Sequence, residues 1–219
     1  MRVRIAAVTL LLLFLVGAAL AADRPDHDTH RFQNAEHWAK VFDDPARDAW
    51  QKPDEVIRAL ALTPKSVVVD LGSGTGYFTV RLARAVPQGR VLGIDVEPDM
   101  VAYLAERAKR EGLTNVTPIQ GAADTPRLPG PVDLVLVVDT YHHIGSRVEY
   151  FGRLRGNLAK GGRLAIIDYK PDAPHGPPPS SRIPTARVIE ELGRAGFSLT
   201  VSHDFLPYQY FLVFAPASR

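Results

Sequence analysis

The chain of 219 residues is long enough for one domain with a sizeable core and too short for two of ordinary size. Its 26 basic and 24 acidic residues give a formal net charge of +2, and a balanced charge without a long basic run argues against a nucleic-acid partner. The absence of cysteine excludes disulfides, thiolate metal ligands and cysteine nucleophiles.

The first 22 residues have the three parts of a secretory signal peptide. MRVR is a basic start, the run from Ile5 to Val16 is almost wholly apolar, and Ala19-Leu20-Ala21 is a small-residue cleavage site. We therefore expect residues 1–21 to be cleaved and the remaining chain to be exported, to the periplasm if the source is a bacterium with two membranes. The alternative is an uncleaved membrane anchor over residues 5–22, because about 17 to 25 apolar residues span a bilayer.

A polar linker and two short helices are predicted in residues 22–65, ahead of the main domain. The helices are Asn34 to Phe42 and Pro53 to Leu62, the second with proline in its first turn.

From residue 66 to 219, short apolar runs alternate with amphipathic ones. Continuous apolar runs such as VDLVLVV suit strands that are buried on both faces of a parallel sheet. The last two strands are separated by only four residues, Asp204 to Pro207, which is too short for a helical crossover, so they should pair antiparallel. The pattern predicts a doubly wound, Rossmann-like α/β domain whose seven-stranded sheet is parallel except for the last strand.

The predicted strands are Ser66–Leu71, Arg90–Val96, Val116–Gln120, Val132–Val138, Arg163–Tyr169, Ser198–His203 and Tyr208–Phe214. The helices predicted between them are Gly76–Ala85, Pro98–Glu111, Arg147–Leu158 and Thr185–Ala195. A capping box is predicted at Ser146 to Glu149, which reads Ser-Arg-Val-Glu.

A glycine-rich loop follows the first strand in VVVDLGSGTG, Val67 to Gly76. Glycines allow the backbone to turn sharply and to approach a ligand closely at the carboxyl end of a strand, although alone such a loop is also an ordinary tight turn. Asp95 ends the second strand 19 residues beyond Gly76, where a carboxylate can accept hydrogen bonds from both hydroxyls of a ribose. The dinucleotide fingerprint is absent, because Tyr77 stands where its third glycine is required.

These motifs together resemble the class I S-adenosylmethionine-dependent methyltransferases over Ser66 to Phe214. The run Asp70 to Gly76 is similar to the first motif of that family, and GIDVEPDM at Gly93 to Met100 is similar to the second. LAKGGRLAIID at Leu158 to Asp168 is similar to the stretch that runs into the fifth strand.

The resemblance implies that S-adenosyl-L-methionine is the cofactor. Its methionine end would lie on the glycine loop, its ribose on Asp95 and its adenine between Val96 and Met100. Small-molecule members often carry Gly-Asp-Ala after the third strand, whereas this chain reads Gly121-Ala-Ala-Asp124, so adenine recognition is expected to shift to Asp124 or to the backbone near Ala123. The cofactor residues implied in this way are Asp70, Gly72, Ser73, Gly74, Gly76, Asp95, Val96, Met100, Ala123 and Asp124.

The segment DTYHHI, Asp139 to Ile144, directly follows the fourth strand and would reach the reactive end of the cofactor. Histidine titrates near neutrality, so His142 or His143 could accept a proton from the methyl acceptor, with Asp139 as a strand-end group beside them. The alternative is that one histidine caps the next helix or packs on the sheet. No metal site is expected, because neighbours in an extended segment point in opposite directions and Asp139 with one histidine supplies only two ligands.

The predicted activity is therefore that of an enzyme, a methyltransferase acting on a small-molecule acceptor at oxygen, carbon or nitrogen. Amino methylases of bases and nucleic acids in this class usually carry Asn/Asp-Pro-Pro-aromatic after the fourth strand, which Asp139-Thr-Tyr-His lacks. The alternative is an exported module that binds S-adenosylmethionine or a nucleoside and has lost turnover.

The N-terminal segment contains three large aromatic residues, Trp38, Phe42 and Trp50. They are expected either to close over the active site, as in similar enzymes, or to pack in the core.

Overall fold

The structure is a computed structural model that describes residues 32–218, so the predicted signal peptide and most of the polar linker lie outside the described residues. Its helices are α1 Ala35–Phe42, α2 Asp48–Gln51, α3 Pro53–Ala59, α4 Thr79–Ala85, α5 Pro98–Arg110, α6 Arg147–Leu154 and α7 Thr185–Arg194. Its strands are β1 Val67–Leu71, β2 Arg90–Asp95, β3 Val116–Gln120, β4 Val132–Val138, β5 Leu158–Tyr169, β6 Phe197–His203 and β7 Gln209–Pro216. Between residues 32 and 218, no helix combines the length and the apolar character needed to cross a bilayer.

The seven strands form one sheet in the order β3-β2-β1-β4-β5-β7-β6. Neighbours from β3 to β5 pair in parallel, and β7 pairs antiparallel with both β5 and β6, which confirms the predicted sheet. The order changes direction between β1 and β4, and ligands of open α/β sheets bind at the carboxyl ends of the strands at such a point.

Two apolar clusters cover the two faces of the sheet. One contains Val56 of α3, Leu60 directly after α3 and Leu82 of α4, packed against alternate residues of the strands. The other contains Phe151 and Leu192 from α6 and α7, with the opposite set of strand residues. Because both faces are covered, the central strands are buried along their length, which explains the unbroken apolar runs in the sequence.

Several observed elements differ from the predicted ones. α6 ends at Leu154 rather than Leu158, and β5 begins at Leu158 rather than Arg163, so the last residue of the predicted helix lies in the strand. A short 3-10 turn at Pro45–Arg47 and helix α2 were not predicted. The predicted capping box is wrong, because Ser146 has φ 42° and its side chain makes no capping hydrogen bond.

Candidate functional site

The glycine loop between β1 and α4 turns sharply over the carboxyl edge of the sheet. Gly72, Gly74 and Gly76 have φ values of 76°, 52° and 96°, a region that residues with a side chain rarely adopt. A Cβ at Gly72 would clash with the side chain of Thr140, and a Cβ at Gly74 would lie 3.4 Å from the Phe42 ring. A Cβ at Gly76 would clash with Leu104 of α5. The three glycines, which we call the cradle, therefore pass closely against the segments that follow β4 and precede β1 and against α5.

Asp95 at the end of β2 is attached to this cradle. One carboxylate oxygen accepts the Gly74 N–H at 2.8 Å and the other accepts the Glu97 N–H at 3.0 Å. The Val96 N–H is a third backbone donor to this carboxylate, and since a carboxylate has about four acceptor positions, one remains for a ribose hydroxyl. Burial raises the pKa of the Asp95 carboxyl.

Two hydroxyls of the loop are buried without a hydrogen-bond partner among the described residues, those of Ser73 and Thr75. Such orphaned groups are uncommon in folded proteins and cost free energy until a partner is supplied. With the cradle and the remaining acceptor position of Asp95, they make the loop a fitting site for the polar nucleoside and amino-acid parts of S-adenosylmethionine.

Asp70 lies at the end of β1, beneath the loop, and is 3% exposed. It accepts a hydrogen bond from the Thr79 hydroxyl at 2.6 Å, which ties the strand to the first turn of α4. Burial, together with the nearby charge of Asp95, raises the pKa of Asp70 to about 6. An ammonium group placed beside it would favour its ionised form.

His142 and the carboxylate of Asp168 form a buried pair at the ends of β4 and β5. Nδ1 of His142 lies 2.9 Å from both carboxylate oxygens, and the side chains are 5% and 3% exposed. The carboxylate also accepts the backbone N–H groups of His142, at 3.2 Å, and Tyr169, at 2.8 Å. Since Nδ1 donates to Asp168, Nε2 is the nitrogen of His142 that can accept a proton.

The expectation that His142 and His143 point in opposite directions is wrong. Tyr141–His143 form a 3-10 turn instead of an extended segment, and the two imidazole rings lie 4.1 Å apart. In a helical turn neighbouring side chains diverge by about 120° instead of lying on opposite faces of a strand. The ring of His143 also packs edge-on against the Phe32 ring, with the two ring centroids 5.6 Å apart.

The histidine turn is braced by α7 through Tyr141. The Tyr141 hydroxyl donates to Glu191 at 2.8 Å, and Arg147 donates to the same carboxylate at 2.7 and 3.0 Å. Arg187 adds a further bond at 2.9 Å. Burial opposes ionisation of Glu191, but the hydrogen bonds from Arg147, Tyr141 and Arg187 outweigh it and lower the pKa of Glu191 to about 2.

Asp139 adopts φ 52° at the end of β4 and belongs to a closed ring of four polar side chains. Arg47 donates to Asp139 at 3.2 Å and to Gln51 at 2.8 Å, Gln51 donates to Gln209 at 2.6 Å, and Gln209 donates to Asp139. The two glutamines are fully buried. Burial raises the pKa of Asp139 to about 7, against the opposing charge of Arg47.

Aromatic side chains of the N-terminal segment cover the same edge of the sheet. Phe32, Trp38 and Phe42 contact one another with ring centroids 4.9 to 5.7 Å apart, and Trp38 stacks on Phe42. Phe32 connects this aromatic cluster to His143, and Phe42 connects it to Gly74 of the glycine loop. Trp50 lies in a different group, with Tyr169, His175 and Tyr208.

The residues predicted for the adenine are less uniform. Val96 is exposed, whereas Met100 in α5 is buried at 1% exposure. Ala123 and Asp124 are exposed in the segment after β3, where the Asp124 carbonyl accepts a hydrogen bond from Arg153 at 3.3 Å. The adenine contacts of all four residues stay predictions.

Sequence reasoning missed Asp168, Arg47, Gln51 and Gln209 as members of the site. Asp168 had a usable signal, because it ends the strand next to β4 in the sheet order of such domains. Arg47 and Gln209 had none, since they meet Asp139 across 92 and 70 residues of chain.

The sheet order and the glycine loop define a doubly wound, Rossmann-like α/β protein with its ligand site at the carboxyl edge of the sheet. A family model described as a methyltransferase domain matches residues 62–189, and the chain belongs to this family.

Two curated relatives and one solved structure illustrate the similarity. Demethylmenaquinone methyltransferase of Thermus thermophilus is 29% identical over 157 residues, 69% of this chain and 66% of that protein. Trans-aconitate 2-methyltransferase of Deinococcus radiodurans is 35% identical over 121 residues, 55% of this chain and 45% of that protein. The chain thus spans less than two thirds of the length of either relative. The crystal structure of a SAM-dependent methyltransferase from Aquifex aeolicus matches with a TM-score of 0.75 and 28% identity, covering 83% of this chain and 97% of that one.

Proposed function

We propose that the protein is an S-adenosylmethionine-dependent methyltransferase that acts on a small-molecule acceptor at oxygen, carbon or nitrogen. The observation that carries the proposal is the arrangement at one sheet edge of a glycine loop bonded to Asp95 and, after β4, of the buried pair His142 and Asp168. The first group suits a nucleoside ligand and the second suits removal of a proton. The similarity to methyltransferases that act on small molecules, by their names, supports the same class.

When bound, S-adenosylmethionine supplies an electrophilic methyl group on a sulfonium. The chain then has to align the acceptor with that methyl group and to exclude water. The aromatic cluster of Phe32, Trp38 and Phe42 covers the glycine loop and suits both tasks. Asp70, the loop, Asp95, and the adenine contacts at Val96, Met100, Ala123 and Asp124 are the proposed cofactor residues.

His142 is the proposed base. Asp168 fixes the ring through Nδ1 and stabilises the positive charge that forms when Nε2 takes a proton from the acceptor. His143 contributes through the contact of its imidazole with His142, and Asp139, held by Arg47 and Gln209, acts on the pair through its charge. A base is needed only where the acceptor arrives protonated, as a hydroxyl or an acidic carbon does.

Titration of the full chain with S-adenosylmethionine and S-adenosylhomocysteine tests the cofactor. We expect saturable binding of both, followed by release of S-adenosylhomocysteine when phenols, quinones, thiols or amines are offered as acceptors. Binding of neither ligand would contradict the proposal. Binding with no release from any acceptor class would favour the alternative, an exported binding module that has lost turnover.

We also propose that the chain is exported and that residues 1–21 are removed. The basic start, the apolar run and the small-residue exit support this proposal. N-terminal sequencing of the protein recovered from expressing cells should then begin at Ala22. A start at Met1 in the membrane fraction would favour the anchor over residues 5–22 instead.

A further inference from the structure

Arg47 is held in place at the glycine loop by the residue that directly follows the loop. Its guanidinium lies 4.2 Å from the centre of the Tyr77 ring, and it donates to the Phe42 carbonyl at 2.9 Å. Phe42 in turn packs over Gly74. Arg47 is therefore a fixed positive charge beside the cradle, supplied by a segment outside the region that matches the family model.

The guanidinium retains donor capacity. Within residues 32–218, Nε, Nη1 and Nη2 donate one hydrogen bond each, to Gln51, Phe42 and Asp139. A guanidinium has five N–H groups, so one N–H on each terminal nitrogen remains for a ligand. One donor on each terminal nitrogen is the number that a carboxylate with two oxygens can accept.

Arg47 lies near two buried acids at the switch point of the sheet. It contacts Asp139, after β4, at 3.2 Å, and its charge also acts on the carboxyl of Asp70 in β1 and lowers the pKa of both groups against the effect of burial. One cation beside two acids is complementary to a zwitterion, whose carboxylate and ammonium groups are a few ångströms apart. Arg107 also reaches the loop and donates to the Thr75 carbonyl at 3.1 Å, but its guanidinium is paired with Asp43 and Glu111.

We infer that Arg47 binds the α-carboxylate of the amino-acid end of the cofactor, while Asp70 and Asp139 face its α-ammonium group. The inference rests on the proposed function and adds the N-terminal segment to the cofactor site. Gln51 of α2 binds Gln209 of β7 and also accepts from Arg47, so these contacts hold the guanidinium beside the loop. The proposal distinguishes recognition of the amino-acid end from recognition of the nucleoside, which depends on Asp95.

Binding of two ligands that differ only at that end tests the inference. S-adenosylhomocysteine carries the α-amino acid, and 5′-methylthioadenosine has the same nucleoside and thioether without it. We expect Arg47→Gln in the full chain to weaken the binding of S-adenosylhomocysteine by about 10- to 100-fold, the effect of losing a charged hydrogen bond. The affinity for 5′-methylthioadenosine should stay within about twofold, since it makes no contact that the substitution removes. Calorimetric titration measures both.

Arg81→Gln is a matched control. Arg81 stacks on the other side of the same platform, 4.1 Å from the centre of the Tyr77 ring, and pairs with Asp48 instead of Asp139. It should leave both affinities unchanged. Arg47→Lys keeps the charge and should lose less affinity for S-adenosylhomocysteine than Arg47→Gln, which keeps the test usable if the glutamine variant unfolds.

Equal weakening of the two ligands by Arg47→Gln, or an unchanged affinity for S-adenosylhomocysteine, would overturn the assignment while leaving cofactor binding intact. Failure of the wild-type chain to bind S-adenosylhomocysteine would instead remove the proposed function, and the inference with it.

Discussion

Replacing His142 with alanine is expected to reduce kcat by about 100- to 10,000-fold, the range for loss of a general base. The affinity for S-adenosylhomocysteine should change by less than about twofold, because His142 is proposed as the base for the acceptor and not as a contact of the cofactor. Asp168→Asn should also lower kcat with little effect on cofactor affinity, since it removes the carboxylate that holds Nδ1. Steady-state kinetics with an acceptor from the panel, and calorimetry with the product, measure the two quantities.

The loss of kcat in His142→Ala should depend on whether the acceptor arrives protonated. A phenol that is already ionised at the assay pH needs no base, so His142→Ala should slow its methylation far less than that of an ordinary phenol or alcohol. His143→Ala is the control, because the hydrogen bonds to Asp168 are made by Nδ1 of His142, and it should cost much less than His142→Ala. If both alanine variants lower kcat and cofactor affinity to the same extent, the histidines are structural.

Glu191→Ala is expected to lower the free energy of unfolding by about 2 to 3 kcal/mol, below the value of about 3 to 5 kcal/mol for a fully buried ion pair because both arginine partners are partly exposed. The substitution leaves the Arg147 guanidinium and the Tyr141 hydroxyl without their shared acceptor. Glu190→Ala, one position earlier on the exposed side of α7, should change stability by less than about 0.5 kcal/mol. Urea denaturation of the three proteins measures the difference, and similar losses for the two variants would contradict the bracing role.

The same carboxylate makes stability depend on pH in a defined window. The pKa of Glu191 is lowered from 4.5 to about 2 in the folded chain, so its contribution is fully present above pH 4.5 and is lost as pH falls towards 2. The difference in unfolding free energy between wild type and Glu191→Gln should therefore shrink from pH 4.5 downwards. A difference that stays constant over this window would show that the ionised carboxylate is not what stabilises the turn.

The sheet could be predicted from local patterns because burial on both faces leaves a direct mark on the sequence. Val116–Gln120 and Val132–Val138 match the predicted strands at both ends, and the short link before β7 dictated antiparallel pairing. The start of β5 was misplaced because Gly161 and Gly162 interrupt the apolar run before Arg163, whereas pairing of Leu158 with Val132 of β4 places it in the sheet. At this position the pairing with β4, and not the local sequence preference, determines the secondary structure.

The site could be predicted only where its residues follow strands directly. Asp70, Asp95 and the glycines stand at fixed offsets from β1 and β2, so their positions follow from the fold. The pairing of His142 with Asp168 depends on the 3-10 turn at Tyr141–His143, and the approach of Arg47 to Asp139 depends on docking of the N-terminal segment. Neither the turn nor the docking leaves a periodic pattern in the sequence.

Methyl transfer itself is tested most directly by S-adenosylmethionine with an isotope-labelled methyl group, incubated with the full chain and the small-molecule fraction of a cell extract. The extract supplies acceptors that a chosen panel could omit. We predict that label moves to a small molecule in the presence of the wild-type chain, and that His142→Ala nearly abolishes the transfer. A wild-type chain that binds S-adenosylmethionine yet leaves the label on it in every extract fraction would contradict the assignment as a methyltransferase.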